Sequence, residues 1–225
     1  CGLCAKVCPV LTVPRPADRM VPPEVFAAWN ADPVVRLEST SGGIFSALAA
    51  ECLKDGGYVA GAVYVKDHAV AHVVTSVLDD LDRLRSSKYV QSYTGDALRA
   101  LLPMVQAGKR VLLCGSPCQI AGFQRLLGKE HENLLTCDFI CLGVNSPKVF
   151  RKYLAMLEER YRSRVADVKF KHKAFGWHRF STRVRFENGK TYISDRHHDP
   201  FMRGYLAGRC FMRPSCYACR FRNDS

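Results

Sequence analysis

The sequence predicts an α/β fold, a mixed sheet with flanking helices, and three observations carry that expectation. A strand-length apolar run, Val111 to Leu113, breaks at Gly115 and passes into a helical pattern with Pro117 at its first position. Two further apolar runs, residues 58–65 and 69–77, meet at Lys66-Asp67-His68 as a hairpin. At 225 residues and 48% hydrophobic content, the chain can bury a real core as one α/β domain with appendages.

In chain order, Cys1 to Pro9 reads C-x2-C-x3-C-P. This is the back end of the bacterial ferredoxin run, its first cysteine lost before residue 1. Cys1 and Cys4 would share one 4Fe–4S cluster and Cys8 would serve another, so residues 1–13 are expected to be the remnant of a ferredoxin-type module. A start without Met, inside a motif and with no leader before it, is expected of a chain missing its N-terminus. Five prolines between Pro14 and Pro33 mark residues 14–36 as a linker. Residues 37–145 then form an N-terminal α/β region and residues 146–225 a C-terminal one.

Ser39-Thr40-Ser41-Gly42-Gly43 leads into a helix whose apolar face is read from Ile44, Leu48 and Cys52, with Phe45 and Ala49 beside them. A hydroxyl-rich Gly-Gly turn at a helix start suits a phosphate, although Ser41 would equally serve as an N-cap. Cys52 is expected in the core. Residues 79–85 read as a short polar helix, and Ser86 to Ser92 (SSKYVQS) as a loop able to hold a ring and its phosphate, or as plain surface. Residues 96–107 form an amphipathic helix. Neither His68 nor His72 has a neighbour pointing to catalysis.

Cys118 falls in the first turn of the helix after Val111–Leu113, where the helix dipole favours a thiolate. Residues 134–140 form another strand, ending at Cys141. Cysteines at the ends of two parallel strands meet at the sheet edge where ligands bind. Cys114 and Cys137, inside those strands, are expected to pack in the core. A helix opens at Pro147, strands follow at 165–170, 180–186 and 190–194, and Cys216-x2-Cys219 closes the chain.

Eleven cysteines beside long α/β patterns favour metal or redox use in a reducing compartment, and hence a cytoplasmic protein without a membrane span. Four thiolates from Cys118, Cys141, Cys216 and Cys219 fit either zinc or a 4Fe–4S cluster. A redox disulfide at Cys216/Cys219 is a third possibility. Net charge is +12, of which +9 falls between Ser146 and Arg185. That excess reads either as a solvated helix face and exposed strands, or as a surface for an anionic partner. A zinc-stapled nucleic-acid module would use it, but no recognised nucleic-acid motif is present and no nucleic acid is expected as partner.

The ordered motifs S-T-S-G-G, S-K-Y-V-Q-S, G-S-P-C-Q-I-A-G, C-L-G-V-N-S-P and R-P-S-C-Y-A-C resemble the beta-subunit family of the coenzyme F420-reducing hydrogenases and dehydrogenases. The likeness is nearer to its bacterial members that carry a ferredoxin module. It implies an iron–sulfur flavoprotein oxidoreductase that passes electrons between 4Fe–4S clusters and FAD, and a hydride between FAD and an acceptor such as coenzyme F420. Carried over, Cys118, Cys141, Cys216 and Cys219 bind the cluster. Ser39, Ser41, Gly42 and Gly43 contact FAD phosphates, Ser87, Lys88 and Tyr89 lie near the flavin, and Gly115 and Ser116 complete the cofactor site. The flavin supplies the chemistry, so no protein group is expected to be catalytic. Implied partners are an electron-donor protein (a ferredoxin or hydrogenase-like subunit) and an anionic small-molecule acceptor. Leu142 departs from the His usual in such bacterial relatives, and the family continues beyond the C-x2-C, so a truncated C-terminus is expected.

Overall fold

The computed structural model describes residues 2–12 and 23–222. The expectation at Cys1 and for much of the linker lies outside the described residues, as does the side chain of Cys4.

Two short helices, α1 (Leu3–Val7) and α2 (Pro9–Thr12), come first. Where a linker was expected throughout, residues 33–38 form helix α3 (Pro33–Glu38). Its start is chemically complete: Asp32 Oδ1 accepts from the N–H groups of Val34 (2.8 Å) and Val35 (3.3 Å), and Pro33 occupies the first turn. Helix α4 (Ile44–Lys54) follows.

Strands β1 (Tyr58–Tyr64) and β2 (Val70–Thr75) form the expected antiparallel hairpin. Next come α5 (Leu81–Leu84), β3 (Ser92–Tyr93), α6 (Gly95–Gln106), β4 (Val111–Gly115), α7 (Pro117–Leu127) and β5 (Leu134–Asp138). Among the described residues these strands make one mixed sheet in the order β3-β2-β1-β4-β5, with β1, β4 and β5 mutually parallel. Alternation along the strands sends side chains to two cores. Val59, Val63 and Leu112 pack with Ala49, Cys52 and Leu53 of α4 and with Leu81 and Leu84 of α5. Ala60, Val111 and Leu113 pack with Leu101 and Val105 of α6 and Ile120 and Phe123 of α7. Helices therefore cover both faces, as parallel strands require.

The face that α4 buries differs from the expected one. Phe45, Ala49, Cys52 and Leu53 turn inward, whereas Ile44 and Leu48 are 38% and 37% exposed. Both stripes have helical spacing; Phe45, Ala49 and Leu53 repeat every four residues and add the larger side chain at the C-terminal turn, so they win the sheet.

After β5 come α8 (Pro147–Tyr161), the antiparallel meander β6 (Val165–His172), β7 (Ser181–Phe186) and β8 (Thr191–Asp195), then α9 (Pro200–Leu206) and α10 (Pro214–Tyr217). Phe150, Phe170, Val184 and Phe201 centre this part, and Val70 and Val90 from the preceding region join the same core. That shared core fixes the strand ends of the first sheet against α9 and the C-x2-C segment.

Candidate cysteine centre and adjoining cavity

Strands β4 and β5 run in register from Val111↔Leu134 to Gly115↔Asp138, so they end level. Beyond β4, Ser116 and Pro117 start α7 as expected, with Cys118 in its first turn. The Ser116 N–H donates to Gln119 Oε1 (2.8 Å), its hydroxyl donates to the same oxygen (3.0 Å), and Cys118 Sγ lies 3.3 Å from that hydroxyl. Beyond β5, residues 141–146 run alongside residues 211–213. Asn145 bridges Met212, the Arg213 N–H donates to the Val144 carbonyl (2.9 Å), and the Ser146 N–H donates to the Phe211 carbonyl (3.0 Å). Tyr205 donates its hydroxyl hydrogen to the Gly143 carbonyl (3.0 Å). This pairing delivers the C-x2-C segment to the Cys141 loop.

The four cysteines sense one another. Burial pushes the Cys141 thiol up to about 11, and Cys118, Cys216 and Cys219 each push it the same way, while the Gly143 N–H acts in the opposite direction. Among the described residues no three His, Cys, Asp or Glu side chains form a group that could hold a metal ion.

Tyr89 borders this centre. Burial raises its phenol to about 12, Ser87 opposes, and Cys141 raises it further. Its ring meets those of Phe170 and Tyr205, both at 5.3 Å between centroids. Asn145, 1% exposed, ties the segments together: its Nδ2 donates to the Tyr89 carbonyl (2.9 Å) and its carbonyl accepts from the Gln91 N–H (3.0 Å). Its Oδ1 is buried with no hydrogen-bond partner among the described residues. Sequence reasoning passed over Asn145, although it stands inside C-L-G-V-N-S-P.

Lys88 is turned inward. Its Nζ donates to the carbonyls of Arg83 (2.8 Å), Leu84 (3.1 Å), Arg85 (2.9 Å) and Ser86 (3.2 Å), closing the C-terminal end of α5. Burial pulls its ammonium down to about 7, with Cys114 acting the other way. Lys88 and Ser87 line a cavity of about 450 Å³ between α3, α5 and the second sheet. Among the described residues two polar atoms in that wall, Tyr64 Oη and Arg183 Nε, are buried without a hydrogen-bond partner, while Arg83, Arg85 and Lys169 are paired with Asp80, Asp82 and Glu38. Orphan donors in such a wall fit a hydrogen-bonding ligand.

The Ser39–Gly43 turn is held largely by its own chain. Ser39 Oγ is buried and donates to the Val35 carbonyl (2.7 Å), and its carbonyl accepts from Lys173 Nζ. A Cβ on Gly42 would come within 2.7 Å of the Ala28 carbonyl oxygen, so the small residue is required by residues 28–30 packed over it. Gly43 is buried and Ser41 exposed. The link to Ser87 is instead Thr40: the two hydroxyls are 2.9 Å apart and the Ser87 N–H donates to Thr40 Oγ1 (2.9 Å). The nine residues expected around the cofactor therefore divide into three neighbourhoods. Ser87 and Lys88 lie at the cavity, with Tyr89 next to them. Gly115 and Ser116 stand beside Cys118, and Ser39, Ser41, Gly42 and Gly43 form the turn joined to the cavity by Thr40.

Cys8 is half-buried between α1 and α2, and both helices rest on α7; a Cβ on Gly122 would lie 3.8 Å from Pro9 Cδ. Helices α1 and α2 thus sit on the helix that carries Cys118 in its first turn.

Residues 25–99 match the N-terminal part, and residues 108–223 the C-terminal part, of the family described as coenzyme F420 hydrogenase/dehydrogenase, beta subunit. The chain belongs to the coenzyme F420 hydrogenase/dehydrogenase beta-subunit family. A chain in the F420-reducing [NiFe] hydrogenase complex from Methanosarcina barkeri shares the fold, with a TM-score of 0.55 at 18% identity over 85% of this chain. This beta-subunit homologue spans 63% of that chain's length. No curated protein matches. No helix among the described residues is long and apolar enough to cross a membrane.

Proposed function

We propose that the chain is an iron–sulfur flavoprotein subunit, with a 4Fe–4S cluster on Cys118, Cys141, Cys216 and Cys219 and FAD reaching into the cavity beside Ser87. What supports this reading is the pairing of residues 144–146 with residues 211–213, which sets the C-x2-C segment beside the Cys141 loop with a Cβ on Gly143 only 3.2 Å from Cys216 Cβ, together with Cys118 in the first turn of the helix that follows the neighbouring strand β4. When bound, FAD would exchange a hydride with a diffusible acceptor, coenzyme F420 or a similar compound, and single electrons with the cluster. The protein's own contribution is position and electrostatics. The Gly143 N–H directed at Cys141 is a donor of the kind that tunes a cluster's potential. Leu142, packed against the apolar core, offers no ring N–H there.

Electrons would enter from a ferredoxin or hydrogenase-like donor in the cytoplasm through a ferredoxin-type module that includes residues 1–13. The packing of α1 and α2 on α7 supports that route. Tyr64 Oη and Arg183 Nε in the cavity wall would hydrogen-bond the cofactor or acceptor.

Anaerobically purified protein is expected to be brown, to contain iron and acid-labile sulfide, and to release FAD on denaturation. Colourless protein carrying zinc and no flavin would contradict the proposal. So would thiol–disulfide exchange activity that survives Cys118→Ser and depends on Cys216 and Cys219.

A further inference from the structure

Cys114 and Cys137 were expected to pack in the core, and Cys137 does pack against the cluster that α4 and α5 cover. They are direct partners across the parallel β4–β5 pair, and both are only half-buried. Neighbouring strands lie about 4.8 Å apart, within the roughly 4.4–6.8 Å that disulfide-linked Cα atoms span. Both side chains are on the sheet face that α4 and α5 cover: Cys137 packs beside Phe45 and Val73, and a Cβ on Gly61 would lie 3.9 Å from Cys114 Cβ. The same Cβ would stand 3.2 Å from Leu84 Cδ2 and 3.9 Å from Phe45 Cζ, so the face beside the pair is packed. The nearness of the two thiols raises the pKa of Cys114 and lowers that of Cys137. Among the described residues β5 has no strand on its outer side, so it can shift towards β4 without breaking a second ladder.

We propose that Cys114 and Cys137 are a thiol-oxidation site, separate from the four-cysteine centre, that closes to a reversible disulfide with a small hydroperoxide as oxidant. Cys137, on the edge strand, is the attacking thiol. Its sulfur takes one peroxide oxygen as the O–O bond breaks, giving a sulfenic acid and releasing water or an alcohol. The Cys114 sulfur then displaces the sulfenic oxygen, which leaves as water with the Cys114 proton. Two thiols lose two electrons in total and one hydroperoxide gains them. The site does not depend on the cofactors proposed above, because none of its groups is a proposed cluster ligand.

The test treats the reduced, purified chain with hydrogen peroxide, alkylates it under denaturing conditions and maps the peptides by mass spectrometry. Cys114 and Cys137 are expected to lose alkylation together and to appear in one linked peptide, lighter by two hydrogens and separable by dithiothreitol. In Cys114→Ser, Cys137 is expected to accumulate as a sulfenic acid trapped by dimedone. In Cys137→Ser, Cys114 is expected to lose its peroxide reactivity. The proposal is overturned if Cys114 and Cys137 stay alkylatable while other cysteines oxidise. It is equally overturned if Cys137 links to Cys141 instead, or if Cys114 reacts as fast in Cys137→Ser as in the parent chain.

Discussion

At Gly143 the backbone takes φ 138°, and a Cβ there would stand 2.6 Å from Met212 Sδ and 3.2 Å from Cys216 Cβ. The same residue directs its N–H at Cys141 and accepts from Tyr205 through its carbonyl. Gly143→Ala is therefore expected to cost about 2 kcal/mol in urea unfolding and to lower iron content, because Cys216 is pushed from the Cys141 loop. At this scale the sequence was a good guide to where Cys118 falls in its helix and a poor one to what neighbouring side chains do. Spacing marked Cys118 as the first-turn residue of a helix, and the structure places it there. Spacing carries no information on where a flexible amine points, so Lys88 was expected near a ligand. Its Nζ closes four carbonyls of its own segment, while its stem borders the cavity. Thr40 and Asn145 were passed over for the opposite reason: their roles are contacts with segments 47 and 56 residues away.

His72 stitches three strands, an element-scale role invisible in its local sequence. On β2, its Nδ1 meets Ser92 Oγ of β3 at 2.7 Å and its Nε2 meets the Cys114 carbonyl of β4 at 3.1 Å. A carbonyl partner needs a donor, so Nε2 carries the proton and the ring is held neutral. Burial lowers its pKa in the folded protein, the Cys114 carbonyl opposing and Lys88 adding. The unfolded ring takes a proton near pH 6.5. Its contribution to stability is thus complete above that value and declines as the pH falls through it towards the lower folded pKa. Thermal midpoints measured across that window are expected to drop more steeply for the parent than for His72→Gln; equal slopes would contradict this role. Strand and helix periods were legible for β1, β2, β4 and α6–α8, where apolar patterns are long. They misled at α4, where two stripes of equal spacing competed. They were silent at β3, whose two residues carry no period.

Across the whole molecule, the C-terminal region is anchored by a buried carboxylate. Asp199 accepts from the hydroxyls of Tyr153 (2.7 Å) and Tyr192 (3.0 Å) and from the Met202 N–H (2.7 Å), joining α8, β8 and α9. Asp199→Ala leaves two tyrosine hydroxyls buried and unpaired and is expected to cost about 3 kcal/mol in chemical denaturation, against about 1 kcal/mol for Tyr153→Phe. The basic segment divides along the same lines. Arg183 and Arg185 pair with Asp167, Lys169 pairs with Glu38, and Lys171 lies 3.6 Å over the Phe180 ring, whereas Lys148, Arg151 and Lys152 of α8 remain exposed. Composition registered the charge but not how much of it the fold itself neutralises. The strand ends, the shared core and the residue 211–213 pairing have one joint outcome, which is to set the C-x2-C segment beside the Cys141 loop, as the proposed cluster on Cys118, Cys141, Cys216 and Cys219 requires. Electron paramagnetic resonance of the dithionite-reduced protein, compared between the parent chain and Cys216→Ser, tests that outcome directly. The variant is expected to lose one reduced-cluster signal and its share of the iron while retaining FAD. Identical spectra and iron content in both would contradict a cluster built on these four cysteines.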